Sequence, residues 1–236
     1  MSTVALITAR GLFGRRRALL LLPLPLLLVG LAAITRAYGV SPDMWGRAVI
    51  VELGLHVVLP VVALIVGTGV LGSEIDDGTI VHILTKPLPR RDIILAKYAV
   101  AASVTAVVSA IPLFITGLLA GSVKLGLALV AAAVVGALAY SALFLLFSLL
   151  SRRPVLLGLV YILVWENLLA TFVSGTKILS VGQYVATIAD TIAPSEIIPS
   201  SIGLTTALVM SAVFVIAGTV LAINRLGSFS LAGETS

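Results

Sequence analysis

The chain has no cysteine, only two histidines and only 11% charged residues, and each shortage removes a class of chemistry. Without thiols there are no disulfides, no thiolate metal sites and no cysteine nucleophile. A catalytic zinc wants three protein ligands, whereas His56 and His82 are expected at different depths and no H-E-x-x-H occurs. No G-x-S-x-G elbow is present, and no histidine is placed to activate one of the many serines. The Walker A pattern G-x-x-x-x-G-K-[ST] is missing as well, so the chain does not hydrolyse ATP by the P-loop mechanism. Soluble domains carry about 25% charged residues, so the low charge also excludes an ordinary water-soluble fold.

What fills the chain is apolar: 60% hydrophobic residues and a mean hydropathy of +1.21. Runs of about twenty such residues cross a hydrocarbon core of ~30 Å only as helices, because no water is there to satisfy an open backbone. The predicted fold is therefore an all-α integral membrane protein. Six transmembrane helices are expected over Ala18–Thr35, Ala48–Gly72, Ile93–Ala120, Leu125–Leu150, Val155–Val173 and Leu204–Ile223. The longest connection, residues 174–203, is about thirty residues, too short for a separate domain of ~50. One transmembrane domain over residues 1–236 is expected, with segments 1–17, 73–92 and 174–203 outside the bilayer.

Orientation follows from the basic residues. A cytoplasmic N-terminus places eleven inside, namely Arg10, Arg15, Arg16, Arg17, Lys86, Arg90, Arg91, Lys97, Arg152, Arg153 and Arg225. Four fall outside: Arg36, Arg47, Lys124 and Lys177. Both termini are then cytoplasmic, and the net charge of +5 is explained by topology and anionic inner-leaflet lipid rather than nucleic acid. Arg15, Arg16 and Arg17 before ALLLLPLPLLLVGLAA also have the look of a secretory leader, but the apolar run is long enough to span and five more follow. Val4, Ile7 and Phe13 among small and basic residues fit a short N-terminal interfacial helix, or else a basic arm.

The charged island SEIDDGTIVHILTKPLPRRD, residues 73–92, reads as a second helix on the cytoplasmic surface. Ser73 and Asp76 form an S-x-x-D capping pattern, with Glu74, Asp76 and Asp77 where a helix N-terminus favours negative charge. Ile80, Val81, Ile83 and Leu84 gather on one side, Pro87 stops the helix, and Asp92 is placed to cap the next span. After the fifth span, Val181, Tyr184, Val185, Ile188 and Ile192 recur at helical spacing and predict an amphipathic helix on the outer face. Ionisable groups inside spans are functional candidates, since a carboxylate at mid-helix costs ~2.5–3.5 kcal/mol on insertion scales. Glu166, flanked by Trp165 and Asn167, is the strongest, and Glu52 and His56, four apart, share a face and are able to pair.

Glu74, then Gly78-Thr79-Ile80, then Leu84, Pro87, Arg91 and Lys97 resemble the E…GT…L…P…R…K signature of permeases of the type-two family of ATP-binding-cassette exporters. The six-span plan with both termini inside is similar too. The resemblance implies that Glu74, Asp77, Gly78, Thr79, Leu84, Pro87, Arg91 and Lys97 belong to a coupling segment that docks on a separate ATPase subunit, which holds the ATP and magnesium. It further implies a second permease copy or homologous partner, a bacterial cytoplasmic membrane, and an outer helix containing Tyr184 that helps close a gate with Trp165, Glu166 and Asn167. The chain itself would be no enzyme and hold no cofactor. Its substrate is expected to be hydrophobic or amphipathic, a lipid or a drug-like molecule, moved outward by alternating access. Two other readings stay open: a proton-coupled carrier using Glu52, His56 and Glu166, and a non-transporting membrane scaffold.

Overall fold

A computed structural model describes residues 21–76, 89–169, 174–198 and 200–229. Among the described residues every regular element is helical. In chain order they are α1 (Pro23–Ala37), α2 (residues 42–76), α3 (Arg90–Leu119), α4 (Val123–Leu150), α5 (residues 154–169), α6 (Val181–Ile192) and α7 (Leu204–Phe229), with a 3-10 turn at Ser174–Leu179. α2 is continuous through three windings: an α-turn at Pro42–Gly46, a wide π stretch at Arg47–Val58 and an α-helix at Leu59–Asp76. α5 likewise passes from α at Pro154–Val160 to π at Tyr161–Leu169.

Four helical stretches are long and apolar enough to cross a membrane: Pro42–Leu71, Arg91–Leu119, Val123–Leu150 and Leu204–Leu226. The protein is an integral membrane protein. Six spans were expected. α1 and α5 are apolar but shorter; the 15 residues of α1 rise only about 22 Å at ~1.5 Å each. The second span starts at Pro42 rather than Ala48, because Ser41 is extended and Pro42 takes the first helical position, while Arg47 stays exposed within the helix instead of breaking it.

The expected helix start at Ser73 is corrected by the same continuity. The backbone of Leu59–Asp76 is one helix, so Ser73, Glu74 and Asp76 occupy the last turn of α2 rather than the first turn of a new element. Asp92 is not a cap either: Pro89 holds the N-cap position of α3, and Asp92 sits in the first turn, where its charge suits the helix dipole. Asp77, Gly78, Thr79, Leu84 and Pro87, and the expected N-terminal interfacial helix over 1–17, lie outside the described residues.

α4 is the hub of the bundle, packing on α2, α3, α5, α6 and α7. Its sequence explains why: VKLGLALVAAAVVGALAYSALFLLFSLL is apolar on every side, and small residues let neighbours come close from several directions. The tightest approach is to α3. A Cβ on Gly117 would stand 2.5 Å from Gly126 Cα, so the helices touch backbone to backbone beside their connecting turn. That turn needs Gly121 at φ +86°, a left-handed conformation that releases Gly121 N–H to the Leu118 carbonyl and Ser122 N–H to the Gly117 carbonyl. Ser122 then caps α4 by accepting from Leu125 N–H at 3.1 Å.

Two basic side chains fix α3 at its opposite ends. Arg36, at the end of α1, donates from Nη1 to the Leu118 and Leu119 carbonyls at 3.2 and 2.8 Å, which closes the C-terminus of α3. Lys97, 1% exposed, donates from Nζ to the Val70 carbonyl of α2 at 2.7 Å. Because the chain reverses between successive helices, the C-terminal ends of α2 and α4 share one end of the bundle with the N-terminal ends of α3 and α5. Arg91, Arg152 and Arg153 are exposed there.

Gly117→Leu is expected to force α3 and α4 apart and to destabilise the bundle by about 1–3 kcal/mol, the usual cost of overpacking. Thermal unfolding of the detergent-solubilised variant reads this directly; a midpoint equal to wild type would mean the backbone contact is not tight.

Candidate functional site

The polar centre of the bundle forms where α5 meets the start of α6. The N-terminus of a helix leaves its first N–H groups unsatisfied, which in a buried position demands an acceptor. Ser180 is the N-cap of α6 and accepts from Gln183 N–H at 3.3 Å. Glu166, 6% exposed, supplies the rest across 15 residues of chain. Its Oε1 accepts from Val181 N–H at 2.9 Å and from the Tyr161 hydroxyl at 2.8 Å. Its Oε2 accepts from Gly182 N–H at 3.2 Å and from the Ser180 hydroxyl at 2.5 Å. One carboxylate thus takes four donors, two of them the orphan amides of α6, at the helix end that favours negative charge.

The π winding of α5 presents these groups. Its turns close from residue i to i+5, and the two side-chain contacts within it have that spacing: Tyr161 to Glu166, and Asn167 Nδ2 to the Ile162 carbonyl at 2.8 Å. Asn167 therefore bonds its own helix rather than only a neighbour. Trp165 donates from Nε1 to the Leu179 carbonyl at 3.2 Å, just ahead of the cap. Tyr161 is also fixed by its ring, which packs edge-on against Phe144 and Phe147 of α4 at centroid distances of 6.3 and 5.9 Å.

Gly182 lets α2 reach the same place. A Cβ there would stand 2.7 Å from His56 Cδ2 and 3.2 Å from Glu166 Oε2, so the imidazole and the carboxylate flank one glycine. His56 Nδ1 lies 3.4 Å from Glu52 Oε2, the pairing that the i, i+4 spacing predicted. Glu52 is 56% exposed, and His56 Nε2 is buried without a hydrogen-bond partner among the described residues, so the Glu52–His56 pair and Glu166 meet at Gly182 without a hydrogen bond between them. The fully buried Tyr140 hydroxyl of α4 has no hydrogen-bond partner among the described residues. Tyr184 turns away, donating to the Ile178 carbonyl and packing its ring at 5.9 Å against Phe214 of α7.

Glu52, His56, Trp165, Glu166 and Asn167 are thus gathered by α2 and α5 beside the start of α6, whereas the side chain of Tyr184 packs toward α7. The amphipathic helix expected after the fifth span is present at Val181–Ile192, and Val181, Gly182, Tyr184, Val185, Ala186, Thr187, Ile188 and Ala189 are buried against the bundle. Small residues on its second face, Gly182, Ala186 and Ala189, admit the neighbouring helices. Sequence reading missed Ser180 and Gly182 as members of this site. Ser180-Val181-Gly182-Gln183 is an S-x-x-Q capping pattern and carried the signal, although Gln183 Oε1 accepts from Ser201 at 2.7 Å rather than serving as an anchor for the cap.

The residues expected to couple to an ATPase divide differently. Arg91 is exposed at the start of α3, and Glu74 lies in the last turn of α2. Lys97 is buried, so any part it takes in coupling passes through the α2–α3 clamp and not through direct contact with another protein. Among the described residues no three histidine or acidic side chains converge as metal ligands would.

The family model described as ABC-2 family transporter protein matches residues 16–173, more than half of the sequence, and the chain belongs to that family. It is a permease subunit of an ABC transporter, a membrane component and not a catalytic domain, and membership implies partnership with an ABC ATPase subunit. Comparison with curated proteins finds no match.

Glu166→Ala would strand two helix N–H groups and two hydroxyls, and should weaken the docking of α6 by about 2–4 kcal/mol. Hydrogen exchange at the Val181 and Gly182 amides is the readout. Protection is expected to fall at those amides and to stay high in α4; unchanged protection would remove Glu166 from its capping role.

Proposed function

We propose that this chain, acting as one permease domain over residues 1–236, is the membrane half of an ATP-driven exporter that moves a hydrophobic or amphipathic molecule by alternating access. The observation that carries the reading is the Glu166 network, a buried polar attachment of α6 to α5 at the end of the bundle opposite Arg91. Binding and hydrolysis of ATP with magnesium on the partner ATPase would pull on the segment containing Glu74, Asp77, Gly78, Thr79, Leu84, Pro87 and Arg91. The Lys97–Val70 bond makes α2 and α3 move together, so the displacement is transmitted along rigid helices rather than lost in a loop. At the far end the α6 attachment alternates between held and released. Six spans, both termini in the cytoplasm and a bacterial cytoplasmic membrane complete the reading. It is supported by the exposed arginines Arg91, Arg152 and Arg153 at one end of the described bundle. A second permease copy or a homologue supplies the other half of the pathway.

A second reading has one observation in its favour. Glu52 pairs with the His56 imidazole, and His56 and the buried Glu166 flank Gly182, a grouping of titratable side chains that a proton-coupled carrier would use.

Export from vesicles separates the two. The first reading expects transport that requires ATP and the ATPase and survives a proton uncoupler, whereas uncoupler-sensitive transport without any ATPase would establish the second. Glu74→Arg and Gly78→Leu should leave the protein inserted while reducing complex assembly or substrate-stimulated ATP hydrolysis; wild-type values for both would refute the coupling assignment.

A further inference from the structure

We infer that the buried hydroxyls of Thr105, Ser109, Tyr140 and Ser141 form a polar layer across α3 and α4. On the alternating-access reading proposed above, this layer is the stretch of the chain's interior that opens to polar solvent and to the polar part of the cargo. All four residues are 0% exposed, and none of the four hydroxyls has a hydrogen-bond partner among the described residues. A buried hydroxyl in that state has lost its hydration and gained nothing in exchange. Helices of this bundle do offer partners to such groups. Thr116 of α3 donates to the Pro112 carbonyl at 2.8 Å, Ser148 of α4 to the Phe144 carbonyl at 2.9 Å, and Thr68 of α2 to the Leu64 carbonyl at 2.7 Å. Thr105, Ser109 and Ser141 have the same local option and do not take it.

Contacts with α2 fix the depth of the four residues. α3 is set against α2 by the Lys97–Val70 bond and by Leu113, whose Cδ2 would stand 2.8 Å from a Cβ on Gly54. Thr105 is midway between Lys97 and Leu113, and Val62 is midway between Val70 and Gly54, so these two are level; Ser109 is then level with Val58. α4 is set by Phe144 against Gly67 and by Gly136 against Leu59. Tyr140, halfway between, is level with Ala63, and Ser141 with Leu64. The layer thus matches residues 58–64 of α2, a rise of only about 9 Å. Val58, Val62, Ala63 and Leu64 are at most 1% exposed, so α2 offers no side-chain partner at this level. On one side of the layer lies the Lys97 clamp, and on the other the place where His56 and Glu166 flank Gly182. A displacement passing between those two points crosses it. Hydroxyls both donate and accept, so they suit water or an uncharged polar group of either kind. Opening satisfies them and closure strands them, which keeps the closed packing from being the one deep minimum.

The chain has no cysteine, so Ser109→Cys and Ser141→Cys each introduce a single thiol with little change of size. The measurement is labelling by a charged methanethiosulfonate of the full-length permease assembled with its ATPase in vesicles, because only a solvated thiolate reacts quickly. Both thiols should react about tenfold faster or more during ATP hydrolysis than without ATP. Ala128→Cys, equally buried on α4 but about three and a half turns from Ser141, should stay slow in both conditions. Thr105→Val removes one stranded hydroxyl and should leave the thermal midpoint of the detergent-solubilised protein at or above that of wild type. Thiols that stay slow under ATP hydrolysis and under a proton gradient, equal acceleration at Ala128→Cys, or a midpoint several degrees lower in Thr105→Val would overturn the inference; ATP-dependent export measured in the same vesicles would keep the exporter reading in place beside that failure. Acceleration driven by a proton gradient without any ATPase would uphold the layer and overturn the exporter reading instead.

Discussion

In a bilayer a charged side chain is tolerated only where it answers another charge or an unsatisfied dipole, and helix ends are the principal supply of such dipoles. Two ionisable groups in the described bundle obey that constraint at helix ends: Arg36 closes the carbonyls at the end of α3, and Glu166 takes the amides at the start of α6, while Lys97 reaches the Val70 carbonyl inside α2, which runs on to Asp76. Each works on a helix other than its own, and each has the sign that the helix end favours. Helix order in the bundle thus rests on polar attachments at the ends, while the apolar surfaces between them are nearly indifferent to whether they meet protein or lipid.

That indifference explains the composition of α4. With no hydrophobic drive to assemble helices inside lipid, close packing must come from shape. The contacts of Gly126 with α3, of Gly136 with Leu59 and Val185, and of Ala142 with Gly218 are the places where α4 gives its neighbours room. Aromatic residues take over where α4 approaches α5: Tyr140 stacks on Phe144 at 5.8 Å, and Phe144 and Phe147 hold the ring of Tyr161. The hydroxyl of that same tyrosine completes the Glu166 cluster, so packing in the apolar layer sets the geometry of the polar one.

Hydropathy made α2, α3, α4 and α7 legible because a twenty-residue apolar run has few alternatives in water or lipid. Helical periodicity likewise gave α6 at Val181–Ile192. What it did not reveal was burial, since an apolar stripe identifies one face but not what covers the other, and here Gly182, Ala186 and Ala189 make the second face equally suited to packing. Ser73 misled for a related reason: S-x-x-D satisfies a cap and also fits within a helix arriving from upstream, and the choice was made by the continuity of α2. Glu166 was found as an expensive charge, yet its partners Val181 and Gly182 lie 15 and 16 residues away and are backbone groups, invisible to any pattern of side chains.

The strength of the Glu166 attachment is what suits it to the proposed transport cycle. Hydrogen bonds between membrane helices average ~0.6 kcal/mol and reach ~1.7, so the three that Glu166 accepts from Ser180, Val181 and Gly182 amount to roughly 2–5 kcal/mol. A two-state element needs ~5.5 kcal/mol of bias to pass from 1:99 to 99:1. An attachment in that range holds α6 firmly in one state and still yields to a coupled event at the other end of the bundle. A purely apolar contact would lack the specificity of that release, because lipid or a neighbouring leucine could replace it at little cost. The three donors that Ser180, Val181 and Gly182 direct at one carboxylate cannot be replaced so cheaply: once α6 leaves, they must find water or another acceptor. In the proposed cycle, opening at this point is therefore tied to the entry of polar solvent.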